Sequence, residues 1–315
     1  MTFTKHIILG AGGAISRALV PELAAKGEKV VLVSRSGHEQ QGSTAARADL
    51  SDCDQLAGVV PEGSAVYLLA GLPYDVRVWR DMWPRIMDNA IRVCREKQSL
   101  LIFFDNVYMY GRVDGPMTEA TPNHPVSKKG EVRAKIAEHF MEECASGRIN
   151  GIIARSADFY GPGGAQTAVP NLLVVQKLIE GKRPQWLARA DRPHSLTYTL
   201  DCGRALPLLA ADESSYNQVW HLPTAHPPIT MQRFAEIAAA AVGVAASPKA
   251  SVLSRPMLAL AGLFDRTIKE LGEMLYQNEM DYVFDSSKFE KHFSFTPTPY
   301  EDGIAATVAA YRERG

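Results

Sequence analysis

The first stretch able to do chemistry is Leu9-Gly10-Ala11-Gly12-Gly13-Ala14-Ile15-Ser16. Glycines between an apolar strand and a helix let the backbone turn tightly and approach a pyrophosphate, which then rests on the NH groups that begin the helix. Gly10, Gly12, Gly13, Ala14 and Ile15 are therefore expected to touch a dinucleotide. A tight turn without a ligand is the bland alternative; an apolar run before the loop and a helical period after it weigh against that. The end of the second strand carries the cofactor choice. An Asp or Glu there would hold the ribose 2′-hydroxyl of NAD, whereas an Arg nearby accepts the 2′-phosphate of NADP. The chain has Ser34-Arg35-Ser36 and no acid. NADP is expected ahead of NAD, with a solvated surface arginine as the competing reading. Asp49 and Leu50, closing a short third strand, are expected at the adenine edge.

These groups need a scaffold, and the hydrophobic periodicity describes one. Ile7-Ile8-Leu9 reads as a buried strand, and Ile15, Leu19 and Leu23 sit four apart, as on one face of a helix that Gly27 ends. Lys29–Val33, Ala65–Leu69, Leu100–Phe104 and Ile152–Ala154 read as further strands. Trp79, Met82, Trp83, Ile86, Met87, Ala90 and Val93 trace one helical stripe, which is core packing rather than a cofactor box. Pro84 is expected to kink that helix or begin a new segment. A further helix is predicted from Lys129 to Ala145.

Strands alternating with helices imply parallel pairing through right-handed crossovers, hence an α/β fold with a Rossmann-type, doubly wound parallel sheet. After Gly161 the pattern loosens. Val219–Leu222 is expected to return to the sheet as a strand, and Thr230 to cap a helix running to Val242. Residues 1–160 are expected to form the dinucleotide-binding domain. Residues 161–315 are expected to form mainly a substrate-binding lobe over the C-terminal edge of the sheet, where such sheets bind ligands.

Composition excludes several classes. Lys plus Arg (34) nearly cancels Asp plus Glu (35) over 315 residues, so no electrostatic case exists for nucleic acid or an anionic membrane. No apolar run approaches the roughly 20 residues a membrane span needs, and the glycine-rich Ile7–Ile15 stretch lacks a signal-peptide layout. The four cysteines form no CxxC and the eight histidines no HxxxH or HExxH, so reduced thiols in the cytoplasm and no metal site are expected. The expected partners are a small-molecule substrate and, at most, a second copy of the chain.

Several ordered segments resemble the extended short-chain dehydrogenase/reductase family, which holds NAD-dependent epimerases and dehydratases. Gly10-x-x-Gly13-x-x-Ser16 is similar to its GxxGxxG, with Ser16 in place of the third glycine. Leu69-Ala70-Gly71 resembles the segment that runs under the cofactor. Met109-Tyr110-Gly111 resembles the VYG after the fifth strand, and Pro116 to Glu119 the P…E after it. Arg155-Ser156-Ala157-Asp158-Phe159-Tyr160-Gly161-Pro162-Gly163 is similar to RxxNxYGPG, and Tyr198-Thr199-Leu200-Asp201 to YVDD. The likeness spans most of residues 5–240 and implies about seven strands with a smaller C-terminal lobe.

The departures bear on chemistry. In the family register, the Ser/Thr position is Asn106, the Tyr position Lys129 and the Lys position Arg133, and no tyrosine of this chain has a Lys four residues later. The resemblance thus implies a rearranged proton relay. Lys129 and Arg133 are four apart and expected on one helix face, where the guanidinium would disfavour the ammonium and make Lys129 a proton donor or oxyanion partner. Arg133 would hold ribose hydroxyls and Asn106 would donate to a carbonyl oxygen. A solvated face is the bland alternative for the two cations. Tyr108 is the other candidate acid. Asp158, standing for the family's Asn, with Tyr160 and His194, is expected near substrate, although such a histidine is more often structural. The functions expected are an NADP-dependent oxidoreductase or epimerase/dehydratase-like enzyme on a small carbonyl or hydroxyl compound, or else a non-catalytic NADP-binding regulator.

Overall fold

Seven short strands, most of them apolar, line up in parallel because helices cover both faces of the sheet they form. In the computed structural model, which describes residues 3–164, 167–244 and 248–313, the strands are β1 (His6–Leu9), β2 (Val30–Ser34), β3 (Thr44–Arg47), β4 (Ala65–Leu68), β5 (Leu100–Asp105), β6 (Gly151–Arg155) and a returning strand Gln218–His221. Their spatial order is β3-β2-β1-β4-β5-β6 and then Gln218–His221, every neighbouring pair parallel. The order reverses between β1 and β4, so the loops leaving those strands face a crevice at the C-terminal edge.

One face is covered by α2 (Cys53–Val59), α3 (Val76–Glu96) and α4 (Lys128–Ala145), with Trp79, Trp83, Ile86, Met87 and Phe140 packed on the sheet. The other carries α1 (Ala14–Ala25) and the helix Thr199–Ala211. These two helices touch closely at Gly203, where a Cβ would lie 2.5 Å from the Ala18 carbonyl oxygen. The close approach expected of a third loop glycine is thus made elsewhere, and Ser16 sits buried with its hydroxyl donating to the Gly13 oxygen at 2.9 Å.

α3 runs unbroken through Pro84, so no new segment begins there. Pro84 lies on its exposed side, and so does Arg80, whose carbonyl loses its partner there, so water can take the bond. Thr230 caps the helix Met231–Val242 by accepting from Arg233 N. The second lobe has its own core around Tyr160, Trp186, Phe234, Tyr300 and Ile304. Within residues 161–315, however, the helices Thr199–Ala211 and Ser287–Phe293 pack with the sheet, through Leu206 and Phe289, rather than with that lobe.

Candidate functional site

The crevice has a phosphate side and a proton side. On the phosphate side, Gly10 and Gly13 are glycines for different reasons. Gly10 has φ +111°, and a Cβ on it would fall 2.6 Å from the Ala70 backbone, so the chain's own packing demands glycine. Gly13 has φ −73°, open to any residue, and its Cβ would meet nothing nearer than the Gly10 oxygen at 3.9 Å. Gly71 likewise faces open space. Gly13 also serves as N-cap of α1, which has no side-chain cap and no acid in its first turn, whereas α2, α3 and α4 are capped by Asp52, Asp75 and Ser127. An uncapped helix start beside an empty glycine face fits a pyrophosphate. The Leu69-Ala70-Gly71 segment passes directly beneath the loop, with Leu69 N donating to the Leu9 oxygen.

At the end of β2, the Ser34 hydroxyl accepts from Gly37 N and His38 N, which folds the following turn back toward the glycines. Arg35 is exposed. Asp49 accepts from Ser51 N and Oγ, which holds its carboxyl below the usual range, helped by the Arg35 charge. Leu50 binds α3 through its carbonyl, which accepts from Asn89.

On the proton side, each of the two cations of α4 is paired with its own carboxylates. Lys129 is fully buried, its ammonium donating to Glu270 Oε2 at 2.5 Å, Glu273 Oε1 at 2.7 Å and the Glu270 carbonyl at 3.1 Å. Arg133 donates to buried Asp105, through Nε at 2.7 Å and through Nη2. Asp105 also accepts from Arg155 at 3.3 Å. Arg133 lies over the Trp83 and Phe103 rings, in the wall rather than at a ribose. The buried cations are stable there only because they are paired.

Asn106 sits between these groups and the crevice. Its backbone NH donates to Asp105, and its side-chain oxygen accepts from Tyr108 N. The Tyr108 ring stacks on Trp79 at 6.2 Å, and its phenol interacts with that of Tyr74. Burial, then the Asp158 charge, pushes the Tyr108 phenol up. Asp158 accepts from His194 at 2.9 Å, and His194 is buried against Tyr282 with ring centroids 4.3 Å apart. Asp158 therefore borders the site directly, whereas His194 holds it from behind.

Tyr160, expected near substrate, belongs to the core of the second lobe. It is fully buried among Tyr198, Phe234 and Tyr300, because its strand, Asp158–Tyr160, alternates sides and turns residue 160 into the lobe's core. Tyr110 packs too, its hydroxyl donating to His221 Nε2 at 2.7 Å. The residues missed by sequence reasoning are Glu270, near the end of the short helix Arg266–Leu271, Glu273, in the turn that follows it, and Tyr74, just ahead of α3. Among the described residues no cluster could hold a metal ion, and no helix is long and apolar enough to cross a membrane.

Comparison with known proteins agrees with the fold. No curated protein matches the chain in sequence. Several solved structures share its fold over nearly the whole length. The dTDP-glucose 4,6-dehydratase of Bacillus anthracis, in complex with NAD, is 15% identical, with a TM-score of 0.79 over 98% of this chain and 97% of that one. The UDP-glucose 4-epimerase of Thermus thermophilus, also with NAD, is 17% identical, with a TM-score of 0.76 over 98% and 99%. The Thermotoga maritima UDP-glucose 4-epimerase, with UDP-glucose, is 17% identical, with a TM-score of 0.79 over 99% of both chains. The sequence model of the NAD dependent epimerase/dehydratase family matches residues 6–217, two thirds of the chain and the whole of the phosphate side. The chain belongs to that family.

Proposed function

We propose that the chain is an NADP-dependent oxidoreductase or epimerase/dehydratase-like enzyme that acts on a small carbonyl or hydroxyl substrate through a rearranged proton relay. The observation that carries the reading is the start of α1, uncapped and facing open space, with no acid at the end of β2 to receive an NAD ribose. Gly13, Ala14 and Ile15 would hold the pyrophosphate, Leu69, Ala70 and Gly71 would support it, and Arg35 would meet the 2′-phosphate. When bound, the dinucleotide supplies or accepts a hydride.

The proton falls to Tyr108 rather than to Lys129. Lys129 has no exposed surface and three acceptors, so its protons are all committed. Tyr108 is only partly covered, and its raised phenol stays protonated at neutral pH, ready to donate to an oxygen gaining negative charge. Asn106 spends its side-chain oxygen on Tyr108 N, which leaves its amide NH2 to polarise the same substrate oxygen. Lys129 and Arg133 act as positioning residues, the first holding Glu273 beside the phenols and the second holding Asp105 under Asn106.

The test is incubation with NADPH and a library of small carbonyl compounds, following loss of nicotinamide absorbance. Turnover lost in Tyr108→Phe but kept in Lys129→Met supports this relay; the reverse assigns the proton to Lys129. The sealed Lys129 favours one second reading, a non-catalytic NADP-binding regulator. NADPH binding without turnover of any compound would establish that reading instead.

A further inference from the structure

Residues 255–274 run over the proton side of the crevice and are fastened differently at their two sides. Toward the second lobe the hold is apolar: Leu258 and Leu275 pack with Leu187, and Leu253 and Ile268 lie against them. Toward the nucleotide-binding half the hold is made of charges and hydrogen bonds. Glu270 accepts from the Lys129 ammonium at 2.5 Å and from Val76 N at 3.1 Å. Glu273 accepts from Lys129 at 2.7 Å and from Lys128 N at 2.9 Å. Arg266 donates to Asp75, through Nε at 3.0 Å and Nη2 at 3.1 Å. These partners stand at the starts of α3 and α4, so the segment bridges the two helix ends. Between Arg255 and Glu273 only Leu258 and Gly262 are buried, and the helix Arg266–Leu271 has no buried residue. The Lys129 ammonium lies 4.5 Å from the centre of the Tyr74 ring, so the fastening sits directly against the phenols. Tyr276, which follows the segment, is 3% exposed, and its hydroxyl has no hydrogen-bond partner. Burial, then the Tyr108 and Asp158 charges, push that phenol up. A buried hydroxyl left unpaired is costly, and a substrate oxygen beside Tyr108 would satisfy it.

We propose that residues 255–274 are a lid over the proton side of the crevice, hinged on the cluster of Leu187, Leu258 and Leu275, and that Lys129 is its catch. The inference rests on the reading of Tyr108 as the group that meets substrate. It also gives Lys129, at the family's tyrosine position, a task outside the chemistry: it holds the cover of the site. The difference between the two fastenings decides which side parts. Carboxylates released from Lys129 regain water, and so does the ammonium, which offsets much of the lost attraction. Parting the leucines exposes apolar surface with no such compensation. The charged side therefore opens and the leucine side turns, a local opening that leaves the sheet intact.

The experiment is amide hydrogen exchange of the full chain, read by mass spectrometry, for wild type, Lys129→Met and Arg266→Gln. In the wild type, amides of 255–274 are expected to exchange together, with those of 106–110 beneath them and well before those of β4 and β5. Lys129→Met is expected to speed exchange in both stretches by about 10- to 100-fold. Arg266 is half exposed, so its variant keeps the fold even if Lys129→Met does not, and it should speed the same stretches by about 2- to 5-fold. Wild-type amides of 255–274 that stay protected as long as the sheet overturn the lid. Variants whose exchange in 255–274 matches wild type, or rises no more than in every other peptide, overturn the catch. A segment that opens while 106–110 stays protected shows that it does not cover the site. No substrate enters the measurement, so its outcome is separate from the turnover test of Tyr108→Phe.

Discussion

The N-terminal ends of α1 and α4 face the same crevice and are finished in opposite ways. α4 begins with Ser127, whose hydroxyl accepts from Gly130 N, while Glu273 takes Lys128 N at 2.9 Å and clamps Lys129 beside it. α1 begins with a glycine that offers no cap, its first turn contains no acid, and that glycine faces open space. Helix starts carry NH groups that need partners. At α4 the chain supplies partners from the adjacent Ser127 and from the distant Glu273, and at α1 no side chain caps them. On the proposed reading the comparison separates what the fold stabilises by itself from where a cofactor would bind, so variants at the two ends should fail differently.

The largest effect is expected beneath α4. Asp105→Asn leaves Arg133 and Arg155 buried without their carboxylate, which should cost about 3–5 kcal/mol of stability, read as a large drop in the denaturant midpoint. At α1 the corresponding change should spare the fold. Gly13→Val should weaken NADPH by about 100-fold, as a branched side chain fills the pyrophosphate's place, with melting temperature and circular dichroism near wild type. Gly10→Val, a few residues away, should instead destabilise the protein, since its Cβ collides with Ala70. If Gly13→Val unfolds the chain or binds NADPH normally, the contrast between the two helix ends is lost.

Lys129→Met sharpens the comparison. It strands two partly exposed carboxylates and should cost about 1–3 kcal/mol, less than a wholly buried pair, while leaving NADPH affinity unchanged. A loss of cofactor binding would mean that the two ends are coupled. A pH series probes the wall shared by the closed side. Burial holds the His221 imidazole at about 3, whereas the unfolded chain titrates near 6.5. Between those values the unfolded state binds the extra proton, so stability should fall as pH drops from about 6.5 toward 3, by about 1.4 kcal/mol per unit from this residue. The slope should flatten in His221→Gln. The smallest effect is expected of Ser127→Ala, about 1 kcal/mol for one lost cap, with cofactor binding untouched.

The open end was legible in the sequence, and the closed end was not. Gly10 to Ser16, the Ser34-Arg35-Ser36 turn and the alternation of apolar runs lie close together in the chain, so local rules of turn, strand and helix were enough to describe them. The Asn106, Lys129 and Arg133 positions were also visible, but not what each would touch. Lys129 and Arg133 share a helix face at four-residue spacing, yet their charges are satisfied by Glu270, Glu273 and Asp105, none of them neighbours in sequence. The burial of Tyr160 has a related origin. Its motif fixed the strand, but which side of a two-residue alternation faces the lobe's core depends on Phe234 and Tyr300 arriving from elsewhere.

By itself, then, the sequence determined the parallel α/β sheet and the phosphate loop, since both follow from short-range periodicity and from glycines whose backbone freedom is local. Only the tertiary structure decided which charges would be partnered. A buried ion pair is selected by the cost of leaving either member unpaired in a low-dielectric interior, and that cost is set by whatever segment the fold brings alongside. The Arg266–Leu271 helix and the turn after it brought Glu270 and Glu273 to Lys129, while the first turn of α1 holds no acid and no side-chain cap.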